Sequence, residues 1–280
     1  MIKNKLNIGI IGQGFVGNAI YQKFKSYYNI FTFDLKPDLS NSSFDYIKDN
    51  CRVIFLCLPT PMNQDGSCNI DLIEGSIHKL SKNDNLNKII VVKSTVIPGT
   101  IEKLNKKFKN INLIFNPEFL TERNAVEDFN NQNRIILGGP RPATTVLKQI
   151  YSKVFPQAHI IKTGSKHAEM VKYFINCFLS TKVSFANEMH QLCSSLDLDY
   201  DKVVEYAILD QRLGNSHWAV PGPDGDYGFG GHCFPKDLSA IIKLTEEKGS
   251  VNNVLKSTIK TNNNVRKNKD WLKMKGRAVI

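Results

Sequence analysis

The sequence lacks the features that would place it in several special classes of protein. No apolar run approaches the roughly 20 residues that a membrane-spanning helix needs. The N-terminal segment leads directly into a strand pattern and has no signal-peptide layout, and there is no internal repeat or low-complexity tract. We therefore expect a cytoplasmic protein without a membrane partner, with 280 residues sufficient for two domains.

Paired cysteines and a concentrated basic tract are missing as well. The six cysteines are scattered and no C-x-x-C pair occurs, so we expect reduced thiols and no disulfide framework. No metal site is predicted. The formal net charge is +11, but the lysines are spread along the chain without an interleaved aromatic platform. A general lysine bias is the simpler explanation, attraction of phosphorylated ligands is the alternative, and no nucleic-acid partner is expected.

A glycine-rich turn near the N-terminus is the first feature that indicates chemistry. Residues 6–12 (LNIGIIG) predict a buried strand, and the segment NAIYQKFKSYY has the apolar spacing of a helix. Between them lies the G-x-G-x-x-G motif GQGFVG, in which Gly14 lets the backbone approach a pyrophosphate. The cofactor-binding residues expected in this turn are Gly12, Gly14, Phe15, Val16 and Gly17.

The second predicted strand supplies the acidic partner of this turn. The segment NIFTFD ends at Asp34, about 20 residues after the motif. A carboxylate there accepts hydrogen bonds from ribose hydroxyls and repels a 2′-phosphate. The turn and Asp34 together predict a dinucleotide site with NAD as the cofactor.

Four further strand patterns extend the sheet: CRVIFLCLP, KIIVVKSTV, INLIFNP and RIILGG. Their alternation with helical segments predicts a Rossmann-like, doubly wound parallel sheet, where function collects at the carboxyl ends of strands. Polar clusters stand there at Leu58–Pro61, Lys93–Val96 and Asn116–Glu122. Thr95 and Glu122 are therefore candidate site residues, with capping or turn chemistry as the alternative.

From about Lys166 the pattern becomes helical, which predicts a domain 1–165 for the cofactor and an all-α central domain at 166–275. Residues 167–196 read as one long helix that is apolar on all sides and therefore central to its domain. Lys172 and Asn176 lie four residues apart on it and need partners if they are buried. The alternative is a lysine that reaches solvent and a capped asparagine. A last helix is predicted at 251–273.

A cysteine stands between a glycine-rich loop and a predicted helix in GFGGHCFPKD. Pro235 suits the first turn of that helix, which places Cys233 just before its N-terminus with Lys236 nearby. Both features favour a thiolate. The sequence therefore predicts a reactive cysteine on a loop that a ligand can approach.

These motifs, together with VKSTVIPGT, NPEFLTE, EMVKYFINCFLSTKVSFANE and LDQRLG, resemble the UDP-glucose/GDP-mannose dehydrogenase family over essentially all of the chain. The resemblance implies oxidation of the C6 hydroxyl of a nucleotide sugar, with UDP-glucose expected, to a carboxylate. It further implies two NAD and one water per sugar, and a homodimer formed through the central helices.

The resemblance also implies roles for individual residues. Cys233 matches the nucleophile, and Lys172 and Asn176 match the pair that stabilises the oxyanion. The remaining expected catalytic residues act in the hydrolysis step. Asp237 and Thr95 match residues that hold the catalytic water, and Glu122 matches the carboxylate that assists thioester hydrolysis.

The binding residues implied by the resemblance form two groups. Arg212 is expected to reach the substrate site of the neighbouring subunit, and Lys236 to contact a cofactor phosphate. The substrate-binding set is Glu118, Phe119, Leu120, Lys172, Asn176, Arg212, Phe229 and Gly230. The cofactor-binding set adds Leu58, Pro59, Thr60, Thr95, Glu122 and Lys236 to the glycine-rich turn and Asp34.

The family continues into a third domain that binds the nucleotide, and here residues 276–280 are expected to be only a stub of its first strand. This departure leaves a second interpretation open, an NAD-binding dimerisation module with weak or no activity. A third is a two-electron dehydrogenase of the related β-hydroxyacid type, which would share the lysine and asparagine but would not need Cys233.

Overall fold

The computed structural model describes residues 5–82 and 88–280, which form two compact units. The first unit comprises the chain up to Thr60 together with Ile70–Lys172. The second comprises Pro61–Asn69 and Tyr173–Ile280. The division predicted from the sequence falls after residue 165, whereas in the structure it lies inside the long helix that begins there.

A single sheet forms the centre of the first unit, with seven strands among the described residues. They are β1 (Asn7–Ile11), β2 (Asn29–Phe33), β3 (Val53–Leu56), β4 (Lys88–Val92), β5 (Ile111–Phe115), β6 (Arg134–Gly138) and β7 (His159–Thr163). Their order is β2-β1-β3-β4-β5-β6-β7. β7 was not predicted, because its residues are exposed or half-buried and leave no apolar run.

The prediction of a Rossmann-like, doubly wound sheet is confirmed, but the sheet is not parallel throughout. β6 runs antiparallel to β5, where Phe115 pairs with Gly138, and the other neighbouring pairs are parallel. The helix between β5 and β6 packs against the helix that follows β1. A chain that reverses direction in this way does not need the crossover that a parallel pair requires.

Helices cover both faces of the sheet. They are α1 (Phe15–Phe24), α2 (Phe44–Asn50), α3 (Asp71–Leu80), α4 (Thr100–Lys107), α5 (Ala125–Asn130) and α6 (Arg141–Val154). Successive strand residues point to opposite faces, so Phe55 packs with α1 and α6 while Ile54 packs with α2, α3 and α4. The two buried clusters explain why the strands are apolar without alternation.

The second unit is helical, as predicted. Its helices are the later part of α7 (Ser165–Ser195), then α8 (Tyr200–Ala207), α9 (Phe234–Glu247) and α10 (Asn253–Val265). The long helix expected at 167–196 is therefore confirmed. No helix in residues 5–82 or 88–280 has the length and apolar character needed to cross a membrane.

The last predicted helix is wrong at its C-terminal end. α10 stops at Val265, and a separate 3-10 turn occupies Asp270–Lys273. Arg266 leaves the helix with extended backbone angles, and its buried guanidinium bonds to Asn268 O and to Asp224. Satisfying this buried charge ends the helix.

The final residues of the chain turn back on themselves. Val279 forms isolated bridges to Lys275 and to Met62, and Met62 N–H donates to Ala278 O at 2.8 Å. The segment 276–280, expected as the start of a strand, therefore forms only isolated β-bridges among the described residues, and one of them is to Met62.

Candidate active site

The glycine-rich turn joins β1 to α1 as the sequence predicts. Gly12 has φ +91°, and a Cβ on it would overlap with the carbonyl of Cys57. A Cβ on Gly17 would overlap with the carbonyl of Gly12, so both positions need glycine for the fold itself. Gly14 differs, because a Cβ there would meet no protein atom within 4 Å. The open space beside Gly14 fits a turn whose backbone is approached by a diphosphate.

Asp34 lies at the end of β2 and contacts this turn directly. Its Oδ2 accepts the N–H of Gln13 at 2.7 Å, and its Oδ1 accepts the N–H of Lys36 at 2.9 Å. Each carboxylate oxygen can accept a further hydrogen bond. The glycine-rich turn and Asp34 thus lie side by side, which is the arrangement that binding of NAD requires.

The ends of β3 and β4 are linked by two hydrogen bonds. The hydroxyl of Thr60 donates to Thr95 O at 2.8 Å, and the hydroxyl of Ser94 donates to Leu58 O at 2.5 Å. The structure therefore brings together three of the predicted residues at the carboxyl edge of the sheet. Pro59, between the two linked positions, is exposed.

A buried polar chain behind these strand ends was not predicted. Lys93 Nζ donates to Asn116 Oδ1 at 3.0 Å, and the Tyr151 hydroxyl donates to the same atom at 2.5 Å. Burial lowers the pKa of Lys93 to about 8, helped by the like charge of Lys172. The polar residues that directly follow two apolar strands, in KSTV and NPEFL, were the available signal.

Lys172 and Glu118 form a buried ion pair in the first unit. Lys172 Nζ donates to Glu118 O at 2.8 Å and to Oε1 at 3.0 Å, and Glu118 Oε2 accepts the N–H of Leu120. Burial opposes ionisation of Glu118, but Lys172 and the N–H of Leu120 keep the pKa of its carboxyl below the usual value. Lys172 Nζ also lies 5.7 Å from the ring centroid of Phe119. Glu118 therefore supplies the counter-charge that a buried lysine needs.

Glu122 is exposed at the rim of an open cleft of about 570 Å³ in the first unit. Phe15, the first residue of α1, lines the same cleft together with Asn18. The structure thus brings Glu122 near the start of α1. Val16, the next residue, packs against the core cluster of α1 and α6.

In the second unit, Cys233 is the residue at which α9 begins. It is the N-cap of the helix, Pro235 lies in the first turn as predicted, and the Asp237 N–H donates to Cys233 O at 3.0 Å. The side chain is partly exposed. A partly exposed thiol at a helix N-terminus is in the environment that favours a thiolate.

Three predicted residues form a buried cluster next to this helix start. Asn176 Nδ2 donates to Asp237 Oδ2 at 2.6 Å, and Lys236 Nζ donates to Asp237 Oδ1 at 2.5 Å. Burial disfavours the ammonium, but Asp237, together with Cys68 and Cys233, raises the pKa of Lys236 above its usual value. Lys236, predicted as a phosphate contact, is thus buried and paired with a carboxylate.

The remaining predicted substrate residues lie in two loops of the second unit. Phe229 is buried edge-on against Phe234, and a Cβ on Gly230 would overlap with the Arg266 guanidinium. Arg212 is exposed and forms a bidentate pair with Asp210. The buried position of Arg266 was not predicted, because nothing in the segment VRKNKDWLK signals a buried arginine.

Comparison with known proteins gives the family. Residues 36–155 match the NAD binding domain of the UDP-glucose/GDP-mannose dehydrogenase family, and residues 166–264 match its central domain. The UDP-glucose 6-dehydrogenase AglM of Haloferax volcanii is 30% identical, with 92% of this chain and 69% of the relative covered. The chain belongs to the UDP-glucose/GDP-mannose dehydrogenase family.

Other members of the UDP-glucose/GDP-mannose dehydrogenase family agree in sequence and fold. A UDP-glucose 6-dehydrogenase of Rickettsia prowazekii is 37% identical over 219 residues, which is 76% of this chain and 49% of the relative. A solved UDP-glucose dehydrogenase of Pyrobaculum islandicum superposes with a TM-score of 0.84 at 26% identity, covering 94% of this chain and 69% of that one. The chain spans about half the length of the curated Rickettsia relative.

The cofactor prediction follows from the family and from the geometry. The first unit contains the family's NAD binding domain, and its glycine-rich turn and Asp34 fit that cofactor. NAD is therefore the cofactor of this chain.

Proposed function

We propose that this chain carries the NAD-binding and central parts of a nucleotide-sugar dehydrogenase that oxidises a C6 hydroxyl to a carboxylate, with UDP-glucose the expected sugar. The observation that supports it most is the partly exposed Cys233 at the start of α9, close to the buried Asn176–Asp237–Lys236 cluster. A two-electron dehydrogenase has no use for this thiol. A nucleophile is required when an alcohol is carried through two oxidations.

The proposed chemistry has four steps on the substrate. NAD, when bound, accepts a hydride in each oxidation. The first oxidation converts the alcohol to an aldehyde and releases a proton, and the Cys233 thiolate then adds to the carbonyl carbon to give a thiohemiacetal. Loss of the second hydride leaves a thioester. Water cleaves it to the carboxylate and the free thiol, so each sugar consumes two NAD and one water.

The roles of the polar residues are carried over from the resemblance. Lys172 and Asn176 are proposed to stabilise the oxyanion that forms on the substrate. The hydrogen bond from Asn176 to Asp237 supports this, because it fixes the orientation of the amide. Asp237 and Thr95 are proposed to hold the water, with Glu122 assisting hydrolysis.

Substrate binding is proposed for five further residues that the resemblance implies. In the first unit the residues are Glu118, Phe119 and Leu120, and in the second Phe229 and Gly230. The carboxylate of Glu118 already accepts a hydrogen bond from Lys172. This supports a role for Glu118 in keeping that lysine protonated more than it supports a direct contact with the sugar.

A homodimer is proposed to complete the enzyme. One side of α7 exposes large apolar side chains that follow helical spacing: Phe174, Phe178, Phe185 and Leu192 are 67%, 61%, 50% and 49% exposed. Burial of such a stripe against a second copy is the usual use of an exposed apolar helix face. Arg212 is proposed to act in the partner's site, and a cytoplasmic location without nucleic-acid or membrane partners is part of the same proposal.

One observation favours a second candidate function. The matched family domains are the NAD binding domain and the central domain, which fits an NAD-binding dimerisation module with weak or no activity. This candidate keeps NAD binding and the dimer but predicts no turnover of any nucleotide sugar.

The deciding experiment measures NADH formation from a panel of nucleotide sugars, with the yield of NADH per sugar consumed. The proposal expects two NADH per sugar from the unaltered protein. Cys233→Ser should bind NAD normally but stall at the aldehyde, because a serine hydroxyl is a poor nucleophile at neutral pH. Cys193→Ser, in the same unit but at the far end of α7, is the matched control. Two NADH per sugar from Cys233→Ser would rule out the covalent route, and NAD binding without turnover would favour the module.

A further inference from the structure

We propose that Asn262, Arg266 and Asp270 are positioning residues, which fix the glycine loop 228–231 that ends two positions before Cys233. The three lie four residues apart, in α10, at its end and in the following 3-10 turn. The catalytic consequence rests on the proposed function. The effect on the loop and on the thiol does not.

Asn262 binds one residue of the loop on both sides of its peptide backbone. Its Oδ1 accepts the Phe229 N–H at 2.7 Å, and its Nδ2 donates to Phe229 O at 3.0 Å. The side chain is 3% exposed, so both hydrogen bonds are shielded from water. Gly228, which has φ +67°, donates its N–H to Asn187 of α7 at 3.1 Å. Two asparagines from different helices therefore hold consecutive residues of the loop.

Asp270 holds the other end of the loop. Its Oδ2 accepts the Gly231 N–H at 3.0 Å, and its Oδ1 accepts a hydrogen bond from Arg266 Nη2 at 3.2 Å. The pair packs so closely on the backbone that a Cβ on Gly230 would overlap with both groups. Glycine at 230 is thus explained by the arginine behind it.

The charge of Arg266 is balanced within this cluster. Its Nη2 also donates to Asp224 Oδ2 at 2.6 Å, its Nε donates to Asn268 O at 2.8 Å, and Asp226 lies 3.9 Å from Nε. Burial disfavours the guanidinium, but Asp224 and the other carboxylates raise its pKa above the usual value. A buried charge with this many partners locks the backbone that it contacts.

The loop has a direct connection to the thiol. Gly231, the residue bound by Asp270, stands two positions before Cys233, and Cys233 begins α9. Release of either end of the loop would let the chain enter α9 at a different angle. The thiol would then lose its fixed position at the helix N-terminus, where a thiolate is favoured.

The test compares substitutions of the same residue types at positions that contact the loop and at positions that do not. Asn262→Ala and Asp270→Ala remove loop contacts. Asn263→Ala, at the exposed neighbouring position in α10, and Asp201→Ala, at an exposed position of α8, are the controls. Urea unfolding establishes conditions in which every variant is folded, and the alkylation rate of Cys233 by iodoacetamide is then measured by peptide mass.

Both loop variants should be alkylated about tenfold more slowly than the unaltered protein. The hydrogen bonds that each variant loses should shift the equilibrium between the fixed and the released loop by roughly a factor of ten, and the released loop does not hold the thiol at the helix N-terminus. Both controls should stay within about twofold. With an active sugar substrate, kcat should fall while the KM for NAD is unchanged. Rates that are unchanged or faster, or equal losses in the controls, would overturn the inference. Absence of any turnover in the unaltered protein would count against the proposed function and leave the alkylation result standing.

Discussion

Asn176 Nδ2 donates a 2.6 Å hydrogen bond to Oδ2 of Asp237, and both side chains are buried. The other oxygen of Asp237 receives the ammonium of Lys236 at 2.5 Å. A single carboxylate therefore orients an amide and neutralises a buried cation. Asp237 lies one turn after Cys233, the N-cap of α9. The same carboxylate therefore stabilises the fold and lies next to the proposed nucleophile.

Removal of the charge of Asp237 should be costly. Asp237→Asn leaves the Lys236 ammonium buried without its carboxylate partner, and we expect a loss of about 3–5 kcal/mol in the free energy of unfolding. Asp65→Asn is the control, because Asp65 is exposed and pairs at 3.8 Å with Lys243, which lies in α9 like Asp237. This substitution should change the free energy of unfolding by less than about 1 kcal/mol. Urea denaturation of the two variants decides the matter, and equal losses would contradict the buried pair.

Lys93 should make stability depend on pH above neutrality. Its pKa is about 8 in the folded protein, against 10.5 for an ordinary exposed lysine. Between these pH values the unfolded chain binds one proton more, so folded-state stability rises with pH, by at most about 1.4 kcal/mol per unit. Below pH 8 the full cost of the buried ammonium is present.

Lys93→Met removes this titration. The unfolding free energy of the unaltered protein minus that of Lys93→Met should therefore increase from pH 8 to pH 10, when both are measured by urea denaturation. Lys79→Met, at an exposed position of α3, should track the unaltered protein at every pH. A difference that stays constant over this range would contradict the assignment.

Asp34 should select NAD over NADP. Asp34→Ala removes the repulsion of a 2′-phosphate and should narrow the preference for NAD. It also removes the acceptor of the hydrogen bond that the Gln13 N–H donates, which should loosen the turn. Fluorescence titration with both cofactors measures this, with Asp38→Ala, exposed in the 3-10 turn that follows β2, as the control. Equal affinity of the unaltered protein for NAD and NADP would show that Asp34 has another role.

The sequence was sufficient to predict elements whose patterns are local. Six strands of the sheet, the glycine-rich turn and Asp34 could be predicted because apolar runs and glycines act on their own neighbours. β7 could not, since its exposed residues carry no apolar pattern.

Burial of charged residues could not be read from local patterns. Lys236 was predicted as a phosphate contact, but Asp237 beside it forms a buried pair with it. The last helix was predicted to run to 273, but Arg266 turns inward to carboxylates 42 and 4 residues away in sequence. Such partners are specified only by the tertiary fold, which is why the end of the last helix and the burial of these charges could not be predicted.

A dimer through α7 should be measurable and should depend on the exposed stripe. Light scattering at micromolar concentration is expected to give twice the 31.6 kDa mass of the chain. Phe178→Asp places a charge in the stripe, where apolar burial contributes about 25 cal/mol per Å², and should give monomers. Val251→Asp, at a position that is 88% exposed outside the stripe, should leave the dimer intact. A monomeric mass for the unaltered protein would exclude this interface.

Arg212 should complement a partner's missing function if it acts across the dimer. Cys233→Ser and Arg212→Ala are each expected to form no carboxylate product alone, and the activity measured is formation of this product. In a mixture of equal amounts, half of the dimers contain one chain of each kind, and one of the two sites in such a dimer has both the thiol and the arginine. Re-formation of mixed dimers from dilute denaturant should therefore restore about a quarter of the unaltered activity, as expected for a symmetric pair. If Arg212 instead serves its own chain, where it pairs with Asp210, no mixed dimer has a complete site and the activity stays absent.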